Sequence, residues 1–455
     1  MKLPNGPKIS PRLLNHQFKT NPLGFMDAMG DRYGDIFTIM TDSAPLVIIS
    51  NPEGMKQIFS NAKEITASGK LNQHSASIVG SNGLLALDGL RHRNRRKLLM
   101  SPMSETRTQA YGQRICRVTE KIMNQLAIGK SFLAYPIMQK ITLEVVLPAL
   151  FGLHEGERYE QFQQLFSNLI SYARSRWLNI SLSYPVLKKD LGRWSPWGYW
   201  LHLQRQFDKL LHAEIETRRQ KLDSVSTDVL SKLMFACDET GQPMTYEYIR
   251  DLFPSLLFGG QDASATAISW SLYWIHSTPG VRDRVLEELD SLGESPEPED
   301  IITLPYLSAV CNESLRIYPT QVVTFPRLVE SSIEIMGYKL EPGTVVRGCI
   351  YLTHQREDLY PQPQQFKPER FLEKQYSPYE FLPFGGGVRR CPGELLALFE
   401  MKLVLATILS RYQLALAHQK VEKPLARGVN YPPASGLKML MLGQRAPMPR
   451  ATATV

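Results

Sequence analysis

Apolar residues recur at helical intervals along most of this chain, and runs that alternate like strands are few. Pro392 suits the first position of a helix, where no N–H is needed, and behind it Leu395, Leu396, Phe399, Leu403, Ala406, Leu409 and Tyr412 form one stripe. From Tyr248 to His276 the chain is almost continuously apolar or small. Leu252, Leu256, Ile268, Leu272 and Ile275 keep helical phase there, which predicts a long helix through the middle of a large domain. Between Ile115 and Tyr248 the pattern reads as a series of helices broken near Gly129, Gly152–Gly156 and Tyr184–Gly198, with a kink or early stop at Pro148. A shorter helix opens at Pro52. Strand patterns occur at Ile36–Met40 and Leu46–Ile49, joined by a turn at Asp42–Ala44. They occur again at Ile333–Met336 and Val345–Leu352, paired through a Pro342-Gly343 turn, and at Leu437–Leu442 after a Tyr431–Gly436 turn. The predicted fold class is mainly α with a small β region, most of it from about residues 1–65 and 325–355.

Composition changes this picture little. A length of 455 residues would allow about two or three domains, but no linker, charge block or repeat divides the chain, so one domain over 1–455 is expected. With 43% hydrophobic and 21% charged residues it reads as a soluble globular protein. Met1–Thr20 holds no apolar run long enough for a signal peptide or membrane span, and five cysteines without a pairing pattern fit a reducing cytoplasm. A net charge of +8 predicts an acidic partner or anionic surface, and no nucleic-acid recognition motif accompanies it.

The candidate chemistry concentrates at Phe384–Gly393. Gly385, Gly386 and Gly387 in a row exclude a helix interior and mark a tight loop that passes close to something. Cys391 comes just before a helix N-terminus, where free N–H groups and the dipole favour a thiolate, and Arg389 and Arg390 act in the same direction. No second Cys or His stands nearby, so a zinc or iron–sulfur site lacks ligands. A lone thiolate suffices where the metal brings its other ligands, as haem does. The alternative for any one Cys is a buried structural thiol.

These ten residues resemble the haem-binding signature of the cytochrome P450 superfamily, Phe-x-x-Gly-x-Arg-x-Cys-x-Gly, at Phe384, Gly387, Arg389, Cys391 and Gly393. The resemblance covers nearly the whole chain. It implies the cytochrome P450 fold, a triangular helical haem domain, with haem b (iron protoporphyrin IX) held by Cys391 as the iron ligand. Phe384, Arg389 and Gly393 then belong to the cofactor site as well.

The long helix is interrupted by Gly259-Gly260-Gln261-Asp262-Ala263-Ser264. Each glycine inside a helix costs about 1 kcal/mol against Ala, so the pair needs a reason, such as close approach of a flat ligand or a local bulge. Asp262 among apolar residues is equally costly unless paired, and a structural ion pair is the alternative to a chemical role. The stretch resembles the family's oxygen-activating motif at Gly259, Gly260, Asp262 and Ser264. It departs at Ala263, where the family usually carries a Thr whose hydroxyl holds a proton-carrying water. The resemblance thus implies proton supply by Asp262, with Ser264, an ordered water or a substrate hydroxyl replacing the Thr. A reaction needing no relay, isomerisation or dehydration, is the other possibility.

After Asp88-Gly89 comes a basic run, Arg91, His92, Arg93, Arg95, Arg96 and Lys97, whose ordinary reading is a solvated face. His92 and Arg96, four apart, also suit a shared carboxylate. The resemblance assigns His92, Arg96, Arg327 and Arg389 to the haem propionates, with His92 standing where Trp is common. It turns Arg93 and Lys97 outward beside the cysteine loop, where an acidic electron-transfer protein docks. Glu313 and Arg316, three apart on a helix, together with Arg370 resemble the family's buried trio behind that loop. Thr66–Asn82 is implied to close over one side of the substrate, and Val322, Val323 and Thr324 to line its pocket. The aromatic break Trp194–Trp200 reads as a packed helix corner or as a hydrophobic lid touching membrane. Leu191–Gly198 is similar to a cyanobacterial group linked to fatty acids and terpenoids.

The resemblance therefore implies a bacterial haem-thiolate monooxygenase, monomeric and cytoplasmic. It would act on a hydrophobic small molecule with O₂ and with electrons from a separate ferredoxin or flavodoxin and its reductase. A haem-thiolate isomerase or dehydratase, prompted by Ala263, and a non-catalytic haem sensor are the alternatives.

Overall fold

Strands form where the alternation predicts them, and also where it does not: β1 (Ile36–Met40), β2 (Pro45–Ile49), β3 (Ile65–Thr66), β4 (Ser131–Leu133), β5 (Arg327–Val329), β6 (Ile333–Ile335), β7 (Tyr338–Leu340), β8 (Val345–Gly348), β9 (Tyr412–Leu416) and β10 (Lys438–Gln444). The computed structural model describes residues 3–75, 80–100, 105–221, 228–237, 241–293 and 296–445. The chain divides into two compact units, each assembled from separated stretches. The first comprises Met1–Leu71, Glu105–Ile141 and Asp262–Val455; the second comprises Asn72–Ser104 and Thr142–Gln261.

In the first unit one sheet has the order β1-β2-β8-β5-β3, with β2 and β8 parallel and the other neighbours antiparallel. Val47, Ile49, Met55, Ile58, Val329 and Val346 pack together beneath it. The pairing of Ile333–Met336 with Val345–Leu352 does not occur. Met336 (φ 51°) and Gly337 (φ 78°) put two consecutive residues in the left-handed region. That is the tight hairpin turn that matches strand twist, so β6 folds back on β7. Gly343 (φ 88°) turns the chain into β8, and residues Ile350–His354 are helical because Cys349 Sγ accepts the Leu352 N–H at 3.5 Å as an N-cap. A third sheet, β4-β10-β9, adds to the β region beyond the expected ranges. Its central strand carries an irregularity between Met441 and Gly443.

The helix after the cysteine loop spans Glu394–Arg411 and packs on the helix Glu105–Met123. Phe399, Leu403, Ala406 and Leu409 of the expected stripe are buried, whereas Leu395 at its start faces solvent and Tyr412 already belongs to β9. The long helix runs from Tyr246 to Ser277 and passes through Pro254, which the apolar pattern concealed.

The second unit is helical, with Glu157–Ala173, Arg176–Ser183, Pro196–Lys221 and Val229–Met234 around a stack of aromatic rings. Phe151 lies 4.6 Å from Phe162 and 4.5 Å from Phe253 between ring centroids, nearly parallel to both. Pro148 does not stop its helix, which continues to Phe151 and ends at Gly152, whose N–H donates to the Pro148 carbonyl at 2.8 Å. Among the described residues no helix is long and apolar enough to cross a membrane.

Candidate active site

The cysteine loop is shaped by its glycines. Gly385 (φ 69°) and Gly387 (φ 63°) take left-handed backbone, and a Cβ on Gly386 would lie 2.4 Å from the Phe59 ring. The loop closes when Cys391 N–H donates to the Phe384 carbonyl at 2.9 Å. Cys391 is partly exposed, three residues before the helix Glu394–Arg411, which Gly393 caps. Two other cysteines of this unit differ in being fully buried. Burial pushes the Cys311 and Cys349 thiols up to about 12, which keeps them protonated and inert. No cluster of three His, Cys, Asp or Glu suited to a metal exists among the described residues, so a metal on Cys391 must bring other ligands with it. Of the two arginines beside it, Arg390 is gripped by Glu394 through two contacts of 2.6 Å, and Arg389 donates to the Ala67 carbonyl at 2.6 and 3.1 Å.

Arg327, on β5, is 4% exposed. Its Nη2 donates to the Gly386 carbonyl at 2.7 Å and its guanidinium lies 4.8 Å over Phe59. Its Nε has no partner. Burial, with the like charge of Arg389 added, lowers its pKa to about 10. A buried guanidinium with a vacant N–H, near a second cation and beside a thiol loop, is suited to anionic groups such as the carboxylates of haem. The residues here fit that cofactor.

Behind the loop, Glu313 and Arg316 sit fully buried and pair through two contacts of 2.7 and 2.8 Å. Arg370 Nε and the Lys367 N–H also donate to Glu313 Oε1, at 3.2 and 2.9 Å. The i,i+3 pair and the distant Arg370 that the sequence singled out thus converge. The sequence did not reveal His354. Its carbonyl accepts from Arg316 Nη1 at 2.7 Å, and its Nε2 accepts the Leu382 N–H at 3.0 Å. The Leu382 carbonyl in turn accepts from Gly385 N–H at 2.9 Å, so the ion-pair network and the cysteine loop are linked through one residue, by the carbonyl of His354 on one side and its imidazole on the other.

On the long helix, Gly259 is exposed and a Cβ there would meet nothing within 4 Å, while the Cβ of a side chain at Gly260 would press on Val146 at 3.1 Å. Ala263, one turn after Gly259, is half-buried among buried neighbours. Asp262 is buried and accepts hydrogen bonds from Tyr135 Oη at 2.5 Å, Asn430 Nδ2 at 2.8 Å and Gln139 Nε2 at 3.1 Å. These partners are neutral donors from distant parts of the chain. Ser264 is buried and bonds Glu400 of the helix Glu394–Arg411. Burial raises the Glu400 carboxyl to about 8, the Ser264 hydrogen bond opposing it, and Oε1 of Glu400 has no partner. Glu400 escaped the sequence reading, although an acid inside the apolar run Leu395–Leu405 was a visible signal.

In the second unit, His92 is buried, Arg96 half-buried, and Arg93 and Lys97 are exposed as expected. Arg95 instead turns inward, stacked 3.3 Å from the Tyr248 ring centre and against the Met244 sulfur. This unit also holds a partly open cavity of about 420 Å³ lined by Phe166, Leu169, Ile170, Trp200, Phe207 and Leu257, with Ser81, Gln204, Asp208, Arg250 and Asp251 as polar groups. Gly80 and Ser81 form part of its wall, held by Asp251, which accepts from Ser81 Oγ and Asn82 N at 3.0 Å. They end the Thr66–Asn82 segment expected near substrate, of which 76–79 lies outside the described residues. Val322 is buried, and Thr324 Oγ1 accepts the Gly348 N–H at 3.0 Å.

Residues 4–438 match the family model "Cytochrome P450". The chain is 31% identical over 450 residues to the putative cytochrome P450 135B1 of Mycobacterium tuberculosis, covering 98% of this chain and 92% of the relative. It is 29% identical to the putative cytochrome P450 135A1 of the same organism, covering 97% and 96% of the two chains. The solved structure described as retinoic acid bound cyanobacterial CYP120A1 superposes with a TM-score of 0.82 at 22% identity, covering 98% of this chain and 100% of that one, a likeness of fold. This chain belongs to the cytochrome P450 family. It is a haem-dependent oxidoreductase of the monooxygenase type.

Proposed function

We propose that this P450 hydroxylates a hydrophobic small molecule of fatty-acid, terpenoid or steroid-like character. The observation that carries this reading is the cavity of about 420 Å³ walled mainly by Phe, Leu, Ile and Trp side chains, with Gln204, Asp208 and Arg250 among the polar groups that could orient a ligand. Haem b, when bound, supplies the activation of O₂. Cys391 offers the thiolate for its iron, Phe384 and Gly393 shape the loop that presents it, and Arg327 and Arg389 offer cations to its carboxylates. His92 and Arg96 are assigned to the same carboxylates by motif. Asp262 is assigned to proton supply, and the Tyr135 hydroxyl that donates to its Oδ1 at 2.5 Å supports that reading by tying it to a second exchangeable proton. The methyl group of Ala263 offers no hydroxyl, so Ser264, an ordered water or a substrate hydroxyl takes that role. Electrons come from a ferredoxin or flavodoxin with its reductase, which the basic balance of +8 favours as acidic partners.

A second reading, an isomerase or dehydratase that consumes no O₂, is favoured only by Ala263. Titrating fatty acids, terpenes and steroids against the haem spectrum, and then measuring O₂ and reductant consumed per product, separates the two. Product formed without O₂ uptake would overturn the monooxygenase reading of the substrate chemistry. A normal thiolate-type carbon-monoxide spectrum in Cys391→Ala would overturn the ligand assignment.

A further inference from the structure

The wall of the cavity in the second unit is apolar except at one place, where two helices bring charges together. Gln204 and Asp208 come from the helix Pro196–Lys221, one turn apart on the face that also carries Trp200. Arg250 and Asp251 come from the start of the helix Tyr246–Ser277, one turn before Pro254. The two carboxylates are used very differently. Asp251 is spent on the fold: it accepts from Ser81 Oγ, Asn82 N and Asn82 Nδ2 at 3.0 Å each. Arg250 adds Nε at 2.9 Å and Nη2 at 2.8 Å.

Asp208 has no such partners. Its half-buried carboxylate faces Arg250 Nε at 4.0 Å, beyond hydrogen-bond reach, and no described residue donates to it. The Tyr246 hydroxyl beside it donates at 2.9 Å to the backbone carbonyl of Asp208 instead. Burial raises the Asp208 carboxyl, Arg250 opposing and the charge of Asp251 adding. On the other side of the gap, Arg250 spends Nε and Nη2 on Asp251, while Nη1 makes no hydrogen bond among the described residues. An acceptor lacking a donor thus stands beside a donor lacking an acceptor, in a wall that is otherwise aromatic and aliphatic.

The chemistry of this pair selects among head groups. A hydroxyl donates once and accepts, so it can satisfy Asp208 and Arg250 Nη1 together. A carboxylate only accepts, and it would be a third anion against the single cation of Arg250. An ammonium group can give a proton to Asp208 but has no lone pair for Nη1, and a charge loses more than a hydroxyl on leaving water.

We propose that Asp208 and Arg250 select a neutral alcohol as the polar end of the substrate, and that they reject the matching carboxylic acid. The inference rests on the reading of this cavity as the substrate site, and narrows it from lipid-like molecules in general to hydrophobic alcohols. Asp208 takes the hydroxyl proton in a hydrogen bond, Arg250 Nη1 donates to the hydroxyl oxygen, and the hydrocarbon lies against Trp200, Phe207 and Leu257.

The test is calorimetric titration of the haem-loaded chain at neutral pH with matched probes. These are farnesol, farnesyl methyl ether and farnesoic acid, then 1-dodecanol, dodecanoic acid and dodecyltrimethylammonium below its micelle concentration. Each alcohol should bind about tenfold or more tightly than its acid, and farnesol more tightly than its ether, which cannot donate. The quaternary ammonium, a cation with no proton to give, should bind more weakly than dodecanol. No hydrogen bond of the fold ends on the Asp208 carboxylate, so Asp208→Asn should keep its thermal midpoint. In that variant the alcohol should loosen and the acid tighten until the gap closes, with the ether unchanged. Acids binding as well as alcohols, ether equal to alcohol, the quaternary ammonium binding best, or an undiminished gap in Asp208→Asn would each overturn the inference and leave the cavity as substrate site. Failure of every probe to bind would remove that reading as well.

Discussion

His354 Nε2 accepts the backbone N–H of Leu382 at 3.0 Å, two residues ahead of the loop that presents Cys391. The imidazole must be neutral to accept there. Burial, with the neighbouring Arg316 charge added, lowers its pKa to about 3. The folded pKa lies below the unfolded value of about 6.5, so the unfolded chain binds the extra proton first. Stability is fully present above about pH 6.5 and is lost as pH falls toward 3, by about 1.4 kcal/mol per pH unit at most. His354→Gln should flatten that acid slope in urea unfolding, leaving the part owed to His276, whose burial lowers it to about 4. A further part remains with carboxylates such as Asp35 and Asp251, which burial would raise but which their hydrogen bonds and arginine partners hold below the usual range. An unchanged slope would remove His354 from this role.

Arg316 and Glu313 are both fully buried, so removing one strands the other. We expect Arg316→Met to cost about 3–5 kcal/mol by urea unfolding, because Glu313 keeps its burial and loses its two-pronged partner. Haem retention should fall with it, since the Arg316–His354–Leu382 chain supports the cysteine loop. A stable variant with full haem content would mean the network is replaceable.

Arg327 behaves oppositely. Its guanidinium is buried with a vacant Nε, so Arg327→Leu should leave the haem-free chain no less stable. Its haem affinity, measured by titration of absorbance, should fall about tenfold or more, because a charged hydrogen bond of about 1.5–3 kcal/mol is lost. Equal affinity would show that the carboxylates bind elsewhere.

Glu400 supplies a pH dependence of the other sign. Its folded pKa, raised to about 8, exceeds the unfolded value near 4.5. The stability it contributes is complete below about 4.5 and is lost as pH rises through 8. Glu400→Gln should therefore unfold at a higher temperature than the natural chain at pH above 8, with the difference shrinking at pH 5. A constant difference across that range would place its ionisation elsewhere.

At the long helix, Ala263→Thr should keep haem binding and change the amount of product formed per reductant consumed. Tyr135→Phe should lower that ratio by removing the 2.5 Å bond to Asp262. If both variants match the natural ratio, proton supply does not run past these residues.

Local chemistry explains why much was legible in advance. The Cys391 loop announced itself because left-handed backbone at Gly385 and Gly387 leaves few residue choices. The long helix was readable from periodicity, and the Glu313–Arg316 pair from its spacing along one helix. The β6–β7 hairpin was misassigned because its turn residues, Met336 and Gly337, look ordinary beside the stronger signal of Pro342-Gly343.

By itself the sequence determined the helical class, the thiol that could hold a metal and the family to which the chain belongs, since each rests on neighbours within a few residues. Only the tertiary structure decided the partners of buried polar groups. Tyr135 and Asn430 meet Asp262 across 127 and 168 positions, Glu400 meets Ser264, and His354 links Arg316 to Leu382. Burial makes such partners obligatory, yet many donors in the chain could satisfy the same acceptor, and packing alone selects which one arrives.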